Sequence, residues 1–226
     1  MKAFRVDLSS SENQSILKPS TRHSFSNQTN QANEVARKIY ELIKNAKYSN
    51  DNIILNHNEI KEAFFSPFKP QLKTAQVFLS HSHADRNKAL EVKNYLESQT
   101  KRKVFIDSLF WDYKDDVLNK LAEYDDISEI EDAFTLILRE SLQDMIEKCP
   151  YFVFLQSKNS VSYQGLSQIT YSAWIYEELK IAHSINESCP TPKMESMQVF
   201  HNVSPFLESF ETITLSKLSR QINSQE

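Results

Sequence analysis

The sequence predicts an α/β protein built on a doubly wound, flavodoxin-like parallel sheet, and three observations carry that expectation. Three short apolar runs, AQVFLS (75–80), KVFID (103–107) and YFVFLQS (151–157), show no polar alternation. Such runs suit strands buried on both faces. Stretches of helical period separate them, as right-handed βαβ crossovers require. Each run also ends in polar residues, and doubly wound sheets bind ligands beyond the carboxyl ends of their strands.

Along the chain, residues 1–33 are rich in Ser, Asn, Gln and Thr, and the expectation is a mobile tail. Residues 34–73 form a helical extension and linker. Val35, Ile39, Leu42, Ile43 and Ala46 make one helical stripe over Glu34–Tyr48, and a shorter helix covers Asn58–Phe64. Either helix packs on its own chain or presents a docking surface. SPFKP then breaks the pattern. Residues 74–226 hold the main domain. After the first run, Ala89, Val92 and Leu96 share a face of a helix over Asp85–Ser98. The region from Phe110 to Cys149 reads as two helices, and Tyr171–Asn186 as another. MQVFHN (197–202) and TITL (212–215) are weaker strands. The carboxyl-end rule selects SHSHAD (80–85), DSLFW (107–111) and SKNSVS (157–162) as site segments.

Composition excludes several classes. The 226 residues carry a net charge of −4, which gives no general reason to expect a nucleic acid partner. Cys149 and Cys189 are the only cysteines, too few for a disulfide framework. The start lacks the apolar segment of a secretory signal, and no run approaches the roughly 20 apolar residues that span a bilayer. A cytoplasmic protein with no membrane partner is expected. Gly165 is the only glycine. Phosphate-cradling loops need several glycines for close backbone approach, so P-loop and dinucleotide fingerprints are excluded. A bound nucleotide would be held by side chains.

The residues resemble a known family in four places. QVFLSHSHAD (76–85) is similar to the opening strand and loop of TIR (Toll/interleukin-1 receptor) domains, and VFID (104–107) resembles the second strand leading to the BB loop. YFVFLQS resembles the third strand. SAWIYEEL (172–179) is similar to the TIR helix in which Trp precedes an acid by four positions. The likeness spans about 74–185. SLFWDY lacks the Gly or Pro of many BB loops, residues 122–140 lengthen the region between the second and third strands, and the first 70 residues have no counterpart in a minimal TIR domain.

Many TIR domains cleave NAD+, and the resemblance makes Glu178 the essential acid and NAD+ the substrate, with no cofactor or metal. It also implies self-association, since family members complete their pockets that way. A TIR chain without an evident effector domain is similar to the signal-producing protein of bacterial Thoeris antiphage systems. There the product, a cyclic or conjugated ADP-ribose, reaches a separate effector by diffusion.

The chemistry of the residues is compatible with this. Nicotinamide leaves as a neutral molecule, so no general acid is required, and one carboxylate bonded to ribose hydroxyls can stabilise the oxocarbenium-like centre. Trp174 lies one helical turn before Glu178. Its ring could exclude water from the cation and favour a cyclic product. Equally, Trp174, Ile175, Leu179 and Ala182 read as a core stripe with Glu178 on its flank. Ser80, Ser82 and Asp107 stand where a dinucleotide would be contacted, although Asp107 also suits a turn cap. Trp111 suits either the nicotinamide wall or the core. Asp85 reads as a helix N-cap.

Two rival readings remain. One is a non-catalytic TIR-like interaction module. The other is a zinc hydrolase, because His81-Ser82-His83-Ala84-Asp85 matches the HxHxD metal turn. Arg86 stands where that family supplies a further His, and the glycine content is too low for its fold.

Overall fold

The computed structural model describes residues 1–17, 28–45, 47–49, 52–54, 56–66, 73–106, 108–123, 128–185 and 201–224. These fall into two compact units. One holds residues 1–21, 74–108 and 143–226; the other holds 22–73 and 109–142.

The first unit is built on a parallel sheet of five strands flanked by helices. In chain order its strands are β1 (Lys2–Asp7), β4 (Ala75–Ser80), β5 (Lys103–Ile106), β6 (Tyr151–Gln156) and β10 (Glu211–Thr212), arranged β10-β1-β6-β4-β5. The three apolar runs of the sequence are thus adjacent strands, with β4 in the middle. The chain moves to one side of β4 for β5 and to the other for β6, so the strand order reverses at β4.

Residues 1–33 do not form a tail throughout. Lys2–Asp7 is an interior strand, paired along its whole length with β6 from Lys2↔Tyr151 to Asp7↔Gln156, and with β10 at Phe4↔Glu211 and Arg5↔Thr212. The physical reason is alternation: Phe4, Val6 and Leu8 are all buried in the core. Arg5 points the other way and donates from Nη2 to Thr212 Oγ1 at 2.7 Å. Helix α1 (Ser11–Ile16) follows, and its buried Asn13 ties the two chain ends together. Asn13 Nδ2 donates to the Asp7 carbonyl at 2.8 Å, and its Oδ1 accepts from the Leu215 amide at 2.9 Å.

One face of the sheet is aliphatic. Val77 and Leu79, Val104 and Ile106, and Val153 and Leu155 pack with Phe4 and Val6 against two helices. These are α4 (Arg86–Thr100), through Ala89, Val92 and Leu96, and α9 (Leu215–Asn223), through Leu215, Leu218 and Ile222. The other face is aromatic. Phe78 stacks on Phe152 with centroids 5.7 Å apart, meets Phe105 at 5.8 Å, and Phe152 meets Phe210 edge-on. Offset and edge-to-face pairs of this kind add about 0.5–1.5 kcal/mol each beyond area burial.

After β6 the chain forms a second, three-stranded antiparallel sheet: β7 (Ser162–Gln164), β8 (Ser167–Thr170) and β9 (His201–Asn202). Gly165 sits in its turn with φ +61, a left-handed conformation that glycine adopts without steric cost. Helix α7 (Ala173–Ser184) starts at Ser172, whose hydroxyl accepts from the Ile175 amide. Helix α8 (Ser204–Ser209) precedes β10.

In the second unit, α2 (Gln28–Lys44) buries Val35, Ile39 and Ile43 of the expected stripe together with Ala36, while Leu42 is half-buried and Ala46 lies outside the described residues. Helix α3 (His57–Phe65) buries Ile60, Phe64 and Phe65. Between them lies a hairpin of β2 (Lys47–Ser49) and β3 (Asn52–Ile54). Phe134, from helix α6 (Ser128–Lys148), meets Phe64 edge-on at 5.4 Å. Helix α5 (Ser108–Leu121) precedes it, so the region between β5 and β6 is two helices, as expected. Most of SPFKP lies outside the described residues.

Candidate functional site

The candidate site is at the carboxyl end of β4, where the strand order reverses. Ser80 is the last residue of β4 and fully buried. It lies on the aromatic face, two residues after Phe78. Its hydroxyl donates to Glu178 Oε2 at 2.5 Å, and Glu178 is likewise fully buried. Thus the end of β4 and helix α7 are joined through two of the residues expected at the site, 98 positions apart.

Glu178 reaches Ser80 because of where α7 starts. The Ser172 cap sets the helix phase, and Ile175, Glu178, Leu179 and Ala182 then form its buried side. Glu177 is also buried, but in other company. Lys180 Nζ stands 3.8 Å from its Oε1 and 5.9 Å above the Tyr176 ring, which itself stacks on His201. Two successive carboxylates therefore have different surroundings, and Glu178 is the one bonded to the switch-point strand. Trp174, one turn earlier, is half-buried.

A second polar cluster closes the same edge. Asp85 is the buried residue before α4, in the N-cap position, yet its side chain makes no capping bond there. The expected N-cap role is corrected. One carboxylate oxygen accepts from the Ser157 hydroxyl, and the other accepts from Asn159 Nδ2 at 2.9 Å. Ser157 in turn accepts from the Asn159 amide at 2.9 Å, and its own amide donates to Ser160 Oγ at 2.8 Å. Asp85 thus fastens the loop after β4 to the loop after β6. Sequence reading picked both loops by the carboxyl-end rule but missed the bond between them, because partners 72 and 74 positions apart leave no local signal.

Of the other expected contact residues, Ser82 is half-buried and precedes a single 3-10 turn, His83–Asp85, where its carbonyl accepts the Asp85 amide at 2.8 Å. Asp107 and the side chain of Trp111 lie outside the described residues. The metal turn does not converge. His81 is buried, His83 is exposed, and Asp85 is engaged by Ser157 and Asn159. Among the described residues, no group of three His, Cys, Asp or Glu side chains is placed to hold a metal ion. Nor is any described helix long and apolar enough to cross a membrane.

No protein-family model, curated protein or solved structure matches the chain. The functional reading therefore rests on the residues and their geometry.

Proposed function

We propose that this chain is a TIR-like, flavodoxin-type NAD+ glycohydrolase or cyclase, with Glu178 as its essential carboxylate. The observation that carries the reading is the buried Ser80–Glu178 hydrogen bond at the strand-order reversal, the place where doubly wound sheets bind nucleotides. A buried carboxylate is costly unless it is hydrogen-bonded, so its retention at a ligand edge favours chemical use.

The proposed reaction uses few groups. The bond from ribose C1′ to the nicotinamide nitrogen breaks, its electron pair leaves with neutral nicotinamide, and positive charge develops on the ribose. Glu178 stabilises that charge and accepts hydrogen bonds from ribose hydroxyls. A carboxylate offers about four acceptor positions, so Ser80 can remain bonded while ribose hydroxyls join. Water then attacks C1′ to give ADP-ribose, or an adenine nitrogen attacks to give a cyclic product, and a proton is released in either case. Trp174 is assigned the wall that keeps water away and so biases the outcome toward cyclisation. Glu178 has no exposed surface in this conformation, so substrate reaches it only when its cover opens. In this reading the product is a diffusible signal for a separate effector in bacterial antiphage defence.

One observation favours a second reading, a non-catalytic interaction module. Tyr163, Leu166 and Tyr171 are large, strongly exposed side chains in and next to the β7–β8 hairpin, and clustered exposed hydrophobics mark contact surfaces. The two readings separate in one experiment. The purified chain is incubated with NAD+ at low and high protein concentration, and nicotinamide is quantified together with all ADP-ribose products. Nicotinamide release, with Trp174→Ala shifting products toward linear ADP-ribose, supports the enzyme. Absence of release at every concentration supports the module.

A further inference from the structure

Strand β5 ends the five-stranded sheet, and among the described residues no strand pairs with its outer side. Two charged side chains of α4 occupy that side. The Val104 amide donates to Glu97 Oε1 at 3.0 Å, and the Val104 carbonyl accepts from Lys93 Nζ at 2.5 Å. Lys93 and Glu97 also bond each other at 2.7 Å. We propose that this pair is a gate on the β5 edge, which keeps a second copy of the chain from adding its own β5 there.

Local helix chemistry does not explain the pair. Lys93 and Glu97 each follow a buried residue of α4, Val92 and Leu96, so they run along one flank of the buried stripe. At i,i+4 spacing the order Lys then Glu is the weaker of the two for helix stability. Glu97 also stands in the last turn, where the partial negative charge of the helix terminus disfavours an acid. Their bonds to Val104 supply the reason that the helix does not.

The edge is one that needs guarding. Val104, Phe105 and Ile106 are apolar and buried. Free amide and carbonyl groups along such a strand are a template for another strand, and natural sheets block them with charged side chains, lysine above all. The opposite edge, β10, has only two residues, so β5 is the longer template.

Geometry selects a second copy as the strand kept out. The amide and the carbonyl of one residue, Val104, face outward together, and an antiparallel hydrogen-bonded pair exchanges both of those groups. Two copies related by a twofold axis at Val104 would therefore satisfy each other. That register sets each Lys103 across from the other copy's Phe105, so the one charged residue of each strand meets an apolar one.

The full chain is compared with Lys93→Ala/Glu97→Ala by sedimentation velocity and amide hydrogen exchange. In the parent, the Val104 amide should exchange slowly at every concentration. The folded double variant should self-associate at least about tenfold more tightly than the parent. Its Val104 amide should exchange faster than the parent's when dilute, and slowly again as the dimer forms. Glu97→Gln, which keeps an oxygen for that amide, should stay at the parent's mass. If the double variant does not fold, Glu97→Ala alone carries the same expectation, because it leaves Lys93 and the buried stripe in place. Three results would overturn the proposal: a folded variant that associates no more than the parent, association that leaves its Val104 amide fast, or a parent whose Val104 amide exchanges like an unprotected one.

Discussion

Ser80 and Glu178 are both fully buried, and that fixes what their substitution does. Ser80→Ala removes the hydroxyl donor from a buried carboxylate. The expected cost is about 1–3 kcal/mol, read as a lower urea midpoint at unchanged slope. Ser80→Thr, which keeps the hydroxyl, should recover part of that loss. Equal stability of Ser80→Ala and the parent would show that the bond contributes nothing to the fold. Cys149 gives a residue-scale prediction with a pH sign. Burial pushes its thiol from 9.0 up to about 12, since the thiolate would be desolvated. The raised value means that the folded state resists deprotonation. The contribution to stability is therefore complete below pH 9.0 and lost progressively as the pH rises toward about 12. Thiol reagents at mild alkaline pH should label Cys149 only at the rate of unfolding. Rapid labelling of folded protein would contradict its burial.

At the scale of elements, β1 is the decisive finding. It lies between β6 and β10, so deleting residues 1–8 removes an interior strand and the Phe4, Val6 and Leu8 side chains with it. Each of those side chains contributes roughly 1.5–3 kcal/mol by burial, which together is comparable to the whole stability of a domain. The truncated chain should lose its cooperative thermal transition, and retention of the parent melting curve would mean that these residues are a tail after all. The same strand shows what was legible. β4, β5 and β6 were readable because each is a continuous apolar run, and α4 and α7 because their stripes keep helical spacing. β1 was not read, although Phe4, Val6 and Leu8 alternate with Arg5 and Asp7, because three apolar positions were outweighed by the polar run that follows. β9 (His201–Asn202) falls at the end of the expected strand MQVFHN, whereas β10 (Glu211–Thr212) shares only Thr212 with TITL, because Leu215 already opens α9.

For the molecule as a whole, the sequence and the structure divide the information differently. The carboxyl-edge segments, Ser80 among them, are legible from the ends of the apolar runs, whereas Glu178 is singled out only by the likeness of its helix to the TIR pattern. The bond between them is legible from neither, because it depends on how far α7 carries Glu178 across the aromatic face. The Asp85 clamp on Ser157 and Asn159 was illegible for the same reason. Local spacing suggested a helix cap, and tertiary geometry assigned the carboxylate to another loop. The division into units was also hidden, since residues 109–142 interrupt the sheet-bearing chain and belong with 22–73. The central claim is that the Glu178 carboxylate acts on NAD+. The most direct test compares nicotinamide release by the parent and by Glu178→Gln, a substitution of equal size that retains an oxygen for Ser80. The account predicts a folded variant with release reduced by about 100-fold or more. A folded Glu178→Gln protein that releases nicotinamide at the parent rate would contradict it.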